Sequence, residues 1–168
     1  DSLPSRGLGD VYKRQVPGTL FHPAQTPEEK DSIKVLRERV INSSVNYNNP
    51  NKKIFFWNSR NARRKQSGTL IWWFKEFLDE VGHDKAVLLM HTDARDPHGQ
   101  DLPMIIDRLG LTDAQVLLST NKVTPAELAN MYRAADYTIG ISDAEGFGLS
   151  TLESCLLYTS PSPRDGRE

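Results

Sequence analysis

Two stretches of the chain combine residue types that suit a ligand with both phosphate groups and sugar hydroxyls. The first is a basic run that contains Arg60, Arg63, Arg64 and Lys65. The second is the segment 145–153, in which two glutamates bracket a Gly-Phe-Gly core. Guanidinium groups and the free N–H groups of a helix start bind phosphate, and carboxylates accept hydrogen bonds from hydroxyl groups. Together these residues predict a site for a nucleotide sugar.

Strand and helix patterns alternate along the rest of the chain. Short apolar runs predict strands at residues 53–57, 85–90, 115–118 and 137–141, the last of them buried. Helices are predicted from Pro27 to about Val40, between a Ser67 cap and Gly82, over residues 102–109, and after a Thr124 cap. This alternation predicts an α/β fold with a Rossmann-like parallel sheet and flanking helices.

The loops that follow the strands are where such a sheet binds its ligands. In this chain they are the segments 58–66, 91–100, 119–124 and 142–148. The basic run lies in the first of these loops, and the glycine-bearing segment begins in the last. We therefore expect the two stretches to meet at one edge of the sheet.

The glycine-bearing segment also resembles a known signature. Glu145-Gly-Phe-Gly-Leu-Ser-Thr-Leu-Glu153 is similar to the E-x7-E motif of retaining, family-four type glycosyltransferases, in the donor-binding C-terminal domain of their GT-B fold. Arg60 and Lys65 match the spacing of that family's Gly-Arg-x4-Lys-Gly loop, although Ser59 and Gln66 replace its glycines. The run 127–136 resembles the helix before the motif strand, so the resemblance covers most of residues 16–154.

The resemblance implies roles for individual residues. The catalytic set would be Arg60, Lys65 and Glu145, and the donor-binding set Gly146, Phe147, Gly148, Leu149, Glu153 and Val123. Arg60 and Lys65 would hold the diphosphate and stabilise the charge on the departing nucleotide. Glu145 and the Gly-Phe-Gly amides would hold the sugar, Glu153 the ribose hydroxyls, and Val123 would lie near the base. Arg63 and Arg64 are interpreted as solvated charges, with Arg64 left open as an alternative to Lys65 for the inward-facing cation.

The same resemblance implies the substrates and partners. The donor would be a nucleoside-diphosphate sugar, and the acceptor an unidentified glycan, lipid or small molecule. No metal and no other cofactor is expected, and the N-terminal domain of the same enzyme would be the missing partner. Alternatives are another GT-B enzyme (a sugar-nucleotide 2-epimerase or a glycogen-synthase-like enzyme) and a non-catalytic α/β nucleotide-binding module. A Rossmann oxidoreductase is disfavoured, because no G-x-G-x-x-G follows any predicted strand.

Composition narrows the class of protein further. The 168 residues carry 21 Lys and Arg against 22 Asp and Glu, for a net charge of −1, so a general nucleic-acid surface is not expected. The one cysteine leaves no disulfide to form. No apolar run reaches the ~20 residues of a transmembrane helix, and no signal peptide is visible. We expect a cytoplasmic protein, with peripheral membrane contact left open for the full-length enzyme.

The two ends of the chain are related to each other at the DNA level. Residues 5–15 can be back-translated so that the reverse complement, read in a shifted frame, encodes Cys-Leu-Leu-Tyr-Thr-Ser-Pro-Ser-Pro-Arg, which is residues 155–164. Such an inverted repeat resembles a transposon-type sequencing adapter read through as protein. We therefore expect residues 1–15 and 155–168 to be non-native. The core, residues 16–154, would be a partial GT-B C-terminal domain and inactive by itself.

Overall fold

A computed structural model of the chain describes residues 18–143 and 148–157. These residues form a parallel sheet of four strands in the order β3-β2-β1-β4, with helices on both faces. The strands are β1 (Lys53–Asn58), β2 (Ala86–His91), β3 (Val116–Ser119) and β4 (Tyr137–Thr138). The helices are α1 (Pro27–Ile41), α2 (Ser67–Val81), α3 (Leu102–Arg108), α4 (Pro125–Ala134) and α5 (Leu149–Leu156). The α/β class and the parallel Rossmann-like sheet predicted from the sequence are confirmed.

The central strands β1 and β2 are apolar on both faces because helices cover them on both sides. Successive side chains of a strand point to opposite faces, so each strand contributes to two cores. On one face Ile54 and Phe56 pack in a core with residues of α1 and α4. On the other face Trp57, Leu88 and Met90 pack with residues of α2 and α3. The sheet is thus a rigid layer whose carboxyl edge carries the loops.

Side-chain caps begin three of the helices. Thr26 and Thr124 each form a complete capping box, with Glu29 and Glu127 respectively. Asp101 caps α3 by accepting a hydrogen bond from the backbone N–H of Met104. These caps satisfy backbone donors that have no partner within the helix, so the loops end at defined residues.

The predicted Ser67 cap is wrong. Ser67 is the first residue of α2, and the N-cap position belongs to Gln66, whose side chain makes no capping hydrogen bond. The Ser67 hydroxyl instead donates to Oδ1 of Asn61 at 2.7 Å. A tertiary contact has taken the hydroxyl group that local sequence alone would assign to the cap.

The last strand is shorter and more exposed than the apolar run 137–141 predicts. Its ladder contains only Tyr137 and Thr138, which pair with Phe55 and Phe56 of β1. Tyr137 is 44% exposed because β4 lies at an edge of the described sheet. The prediction of a buried strand is therefore wrong, since a short apolar run does not distinguish a central strand from an edge strand.

Helix α5 continues past residue 154, the predicted end of the core. It runs to Leu156, and Leu157 packs against the core formed with α1 and α4. The domain boundaries stay predictions. Across the described ranges 18–143 and 148–157, none of the helices has the length and apolar character needed to cross a membrane.

Candidate functional site

The candidate site lies at the carboxyl edge of the sheet, where β1 is flanked by β2 and β4. Strands β1, β2 and β3 end there at Asn58, His91 and Ser119. The chain order of the strands reverses on the two sides of β1, since β2 and β3 lie on one side and β4 on the other. Such a reversal point opens a crevice between loops, and open α/β sheets bind ligands in it.

The loop that carries the basic run is fastened to the loop after β2. Asn61 is fully buried, its Nδ2 donates to the carbonyl oxygen of Gln100 at 2.7 Å, and its Oδ1 accepts the Ser67 hydroxyl. Gly99 packs so closely that an added Cβ would lie 1.9 Å from the carbonyl oxygen of Asn61. The two loops therefore hold their shape together, and the charges on them are placed by buried contacts.

Arg60 is oriented by a carboxylate of the neighbouring loop. Its Nε donates to Oδ2 of Asp96 at 2.6 Å and its Nη2 donates to Oδ1 at 3.2 Å. Asp96 is only 8% exposed, and it also accepts the backbone N–H of His98. The Arg60 guanidinium, together with that N–H, holds the pKa of the Asp96 carboxyl well below its ordinary value. Arg60 is thus a preorganised cation, because its direction is set before any ligand arrives.

The rest of the basic run forms one turn of 3-10 helix, from Arg63 to Lys65. Within it Arg63 and Arg64 are exposed, whereas Lys65 is only 7% exposed. Gln66 follows with φ 53°, in the left-handed region that favours glycine. Gln66 takes the place of the last glycine in the Gly-Arg-x4-Lys-Gly pattern. The backbone therefore adopts the conformation that favours glycine although the residue is glutamine.

A cavity of about 720 Å³ opens beside this turn. It is lined by Arg63, Arg64, Gln66, Pro97, His98, Gly99, Gln100 and Asp143. The two arginines interpreted from the sequence as solvated charges are therefore the cations on its wall, whereas neither Arg60 nor Lys65, the predicted diphosphate residues, is part of the lining. Two arginines against the single carboxylate of Asp143 give the wall a net positive charge, which favours an anionic ligand.

Asp143 fastens the glycine-bearing segment to the basic turn. Gln66 Nε2 donates to both carboxylate oxygens of Asp143 at 2.9 Å, and the backbone N–H of Asp143 donates to the carbonyl oxygen of Arg64 at 2.9 Å. Asp143, the last described residue before that segment, thus lies next to the basic turn. Glu145, Gly146 and Phe147 themselves lie outside the described residues, so their roles stay predictions.

Helix α5, with its N-cap residue, begins directly after the residues 144–147, which are outside the described ranges. Gly148 occupies the N-cap position with φ 68°, and Leu149 is the first helical residue and 40% exposed. The first N–H groups of a helix have no partner within it, and the helix dipole makes this end positive. The predicted Gly148 and Leu149 therefore sit at a helix start, which is the geometry assumed for their role.

Glu153 lies one turn further along α5 and faces the protein. Its Oε2 accepts the hydroxyl of Tyr132 at 2.7 Å and Nδ2 of Asn58 at 3.5 Å. Burial raises the pKa of the Glu153 carboxyl, while the two hydrogen bonds oppose that shift. Because Asn58 is the last residue of β1, Glu153 lies at the strand end from which the basic loop emerges.

Val123 belongs to a different cavity. That cavity has a volume of about 550 Å³ and is enclosed by α1, the end of β3 and the beginning of α4, with Leu36, Leu117, Ser119, Val123 and Asn130 among its lining residues. It shares no lining residue with the cavity beside the basic turn. Neither cavity is lined by Arg60 or Lys65, so the predicted place of Val123 near the base stays a prediction.

Three residues of the site were missed by reasoning from the sequence. Asp96 lies in a loop with several other charges, and nothing local marks it as the partner of Arg60. Tyr132 lies in the run 127–136, for which only a helix was predicted, and Asn58 was predicted only as the first residue of the loop 58–66. One signal was present, because a buried tyrosine needs a partner for its hydroxyl group.

The described residues offer no alternative centre for metal chemistry. Within residues 18–143 and 148–157, no group of three or more His, Cys, Asp or Glu side chains is placed to hold a metal ion. His91, at the end of β2, has its pKa lowered by burial, and its Nδ1 lies 3.1 Å from Oγ of Ser119.

The strand order and the surrounding loops define a Rossmann-like domain of the type found as the C-terminal domain of GT-B glycosyltransferases. One such structure is the C-terminal domain of a glycosyl transferase group 1 family protein, LpcC, from Francisella tularensis. It is 19% identical with a TM-score of 0.61, over 85% of this chain and 67% of that chain. No protein-family model and no curated protein matches the chain.

Two larger enzymes contain the same fold. Sucrose-phosphate synthase from Thermosynechococcus elongatus is 23% identical with a TM-score of 0.59, over 83% of this chain and 30% of that chain. The catalytic domain of starch synthase IV from Arabidopsis thaliana, bound to ADP and acarbose, is 20% identical with a TM-score of 0.56, over 83% of this chain and 29% of that one. At these identities the likeness establishes the fold, and the chain spans less than a third of either enzyme.

Proposed function

We propose that this chain is the nucleotide-sugar-binding part of a retaining glycosyltransferase. The donor is a nucleoside-diphosphate sugar, and the acceptor is a glycan, a lipid or a small molecule. The observation that carries the proposal is the meeting of opposite chemistries at the carboxyl end of β1. Arg60 follows that strand in the chain, and Glu153 contacts Asn58, the strand's last residue. On this proposal, cations suited to a diphosphate and a carboxylate suited to a ribose act on the same ligand from the end of one strand.

The division of labour follows from the charges. Arg60 and the basic turn bind the diphosphate and stabilise the negative charge that develops on it when the glycosidic bond breaks. Glu153 accepts hydrogen bonds from the ribose hydroxyls. Glu145 and the amides of the Gly-Phe-Gly core hold the sugar at the positive end of α5. Lys65 supports the diphosphate from a buried position. The cations and the helix end meet the charge of the diphosphate without a metal.

The fold of the similar structures supports the same proposal. One of them, a starch synthase, has ADP bound. A GT-B enzyme places its active site between two domains, so the present chain would bind the donor and lack the acceptor side. We propose that it needs an N-terminal domain for transfer and is inactive without one.

The proposal is tested by isothermal titration calorimetry of the chain with UDP, GDP and ADP. We expect at least one nucleotide to bind, and Arg60→Ala to weaken its binding roughly ten- to a hundredfold. Arg95→Ala is the matched control, because Arg95 is an exposed cation of the adjacent loop, paired with Asp101. Binding of none of the three nucleotides, or equal losses in the two variants, would refute diphosphate binding.

The inactivity of the isolated chain is tested separately. The chain is incubated with the corresponding nucleoside-diphosphate sugars and a panel of sugar and lipid acceptors, and product is sought by mass spectrometry. We expect binding without transfer. Turnover by the isolated chain would contradict the requirement for a second domain while leaving donor binding intact.

A further inference from the structure

The Glu153 carboxylate is held by one of its two oxygens. Both described hydrogen bonds to it, from Tyr132 and from Asn58, end on Oε2. Within residues 18–143 and 148–157, Oε1 accepts no hydrogen bond. One oxygen is thus anchored to the protein, and the other keeps its full capacity to accept hydrogen bonds from a ligand.

The anchor has a defined direction. Asn58 Nδ2 donates to the Tyr132 hydroxyl oxygen at 3.0 Å, and the Tyr132 hydroxyl donates onward to Glu153 at 2.7 Å. The same hydroxyl lies 3.4 Å from the carbonyl oxygen of Ser150, a longer and weaker alternative. Because Asn58 occupies a lone pair of the hydroxyl oxygen, the hydroxyl hydrogen is turned toward the carboxylate. Hydrogen bonds in such a series polarise and strengthen one another.

The tyrosine ring that carries this hydroxyl has little freedom to move. Tyr132 is fully buried and packs edge-to-face against Phe56 of β1, with ring centroids 4.8 Å apart, and against Phe21 at 6.1 Å. Phe56 belongs to the central strand, so the hydroxyl is placed relative to the sheet itself. Glu153, by contrast, belongs to a short helix of eight residues. The hydrogen bond from Tyr132 therefore ties the carboxylate of Glu153 to the packed core.

We infer that Tyr132 is a positioning residue that makes this site selective for ribonucleotides. It holds Oε2 of Glu153 so that Oε1 faces the crevice and accepts hydrogen bonds from the ribose hydroxyls. The inference rests on the proposed function, and it identifies the ribose as the part of the nucleotide that the site recognises. A nucleotide without ribose hydroxyls loses the contact with Oε1, so for such a nucleotide the position of Glu153 is unimportant.

The test is a double-mutant cycle with two kinds of ligand. The chain, Tyr132→Phe, Glu153→Ala and the double variant are titrated with UDP, GDP and ADP and with their 2′,3′-dideoxy counterparts. We expect Tyr132→Phe to weaken ribonucleotide binding roughly fivefold and dideoxynucleotide binding by less than about twofold. In the Glu153→Ala background, Tyr132→Phe should change neither. Tyr137→Phe is the matched control, since Tyr137 is an exposed tyrosine, and it should bind both ligands as the parent chain does.

A pH profile separates positioning from a purely structural role. The hydrogen bond from Tyr132 lowers the pKa of Glu153, so its removal raises that pKa. In Tyr132→Phe the loss of ribonucleotide affinity on acidification should therefore begin at a higher pH than in the parent chain. Loss of core packing alone would weaken binding without moving that pH.

Each outcome decides a different statement. If Tyr132→Phe weakens both kinds of nucleotide equally, or still acts in the Glu153→Ala background, the positioning role is overturned while nucleotide binding stands. If Glu153→Ala leaves ribonucleotide affinity unchanged, the ribose contact and the inference both fail. If the parent chain binds no nucleotide, the proposed function fails and the inference fails with it. Should Tyr132→Phe not fold, Asn58→Ala replaces it, because Asn58 contacts the same hydroxyl and the same oxygen, and equal losses for both kinds of nucleotide would again overturn the role.

Discussion

Arg60 and Asp96 are joined by two parallel hydrogen bonds between the loops that follow β1 and β2. The carboxylate is buried, whereas 63% of the arginine side chain is exposed. A buried anion thus orients an exposed cation at the rim of the crevice. A diphosphate that binds there meets a guanidinium whose direction is already set, so less conformational entropy is lost on binding.

Asp96→Asn should therefore weaken nucleoside diphosphate binding although Asp96 carries the same sign of charge as the ligand. The variant loses one of the two charge-assisted contacts and leaves Arg60 free to adopt other rotamers. We expect the dissociation constant measured by calorimetry to be several-fold larger than that of the parent chain. Asp93→Asn, on an exposed acid of the same loop, is the control and should not weaken binding. Tighter binding by Asp96→Asn would mean that Asp96 competes with the ligand for Arg60.

The same pair should make the stability of the fold depend on pH in the acid range. The pKa of Asp96 lies below its ordinary value of 3.8 in the folded chain. Its contribution to the free energy of unfolding is therefore complete above that value and is lost as the pH falls through the folded pKa. Parent chain and Asp96→Asn should differ in urea midpoint at about pH 6 and converge on acidification below about pH 3. A constant difference across that range would contradict the assignment.

Gly99→Ala should loosen the loops that carry the site. The new Cβ would lie 1.9 Å from the carbonyl oxygen of Asn61, so the backbone has to shift. We expect a loss of about 1–3 kcal/mol in the free energy of unfolding by urea titration, together with weaker nucleotide binding. Gly140→Ala is the matched control because nothing lies within 4 Å of its added Cβ. Equal stability of the two variants would show that the loop after β2 yields easily.

Glu153→Gln should stabilise the fold at neutral pH and weaken ribonucleotide binding. Burial raises the pKa of Glu153 above its ordinary value of 4.5, so ionisation costs folding free energy once the pH exceeds that value. Glutamine still accepts the Tyr132 hydrogen bond but carries no charge. We expect a higher melting temperature than the parent chain at neutral pH, no difference at a pH below 4.5, and weaker ribonucleotide binding. Glu80→Gln, on an exposed helical glutamate, should change neither property.

Much of the fold could be predicted because its signals are local. The apolar runs of β1 and β2, the proline after each threonine cap of α1 and α4, and Gly82 at the end of α2 each act within a few residues. Because predicted strands alternate with predicted helices, the strands are expected to be joined by helical crossovers and to form a parallel sheet. The length of β4 could not be predicted in this way, because pairing depends on the neighbouring strand. Phe56 still accepts the N–H of Ile139, but the ladder ends at Thr138.

The candidate site could be predicted as a place rather than as a set of contacts. Loops at the carboxyl ends of strands are identifiable from the order of elements, and the basic run and Glu145 fell in two of them. Which cation lines the cavity depended on the 3-10 turn, which exposes Arg63 and Arg64 and buries Lys65. Sequence spacing alone does not determine that choice.

The amino-acid sequence by itself determined the alternation of strands and helices, the threonine caps of α1 and α4, and the loops in which anion-binding and hydroxyl-binding groups occur. Only the tertiary structure decided the partners, namely Asp96 for Arg60 and Tyr132 for Glu153. These pairs are 36 and 21 residues apart in the chain. The physical reason is that helix and strand formation depend on near neighbours, whereas a buried polar group is satisfied by whichever group the packed sheet brings within hydrogen-bonding distance.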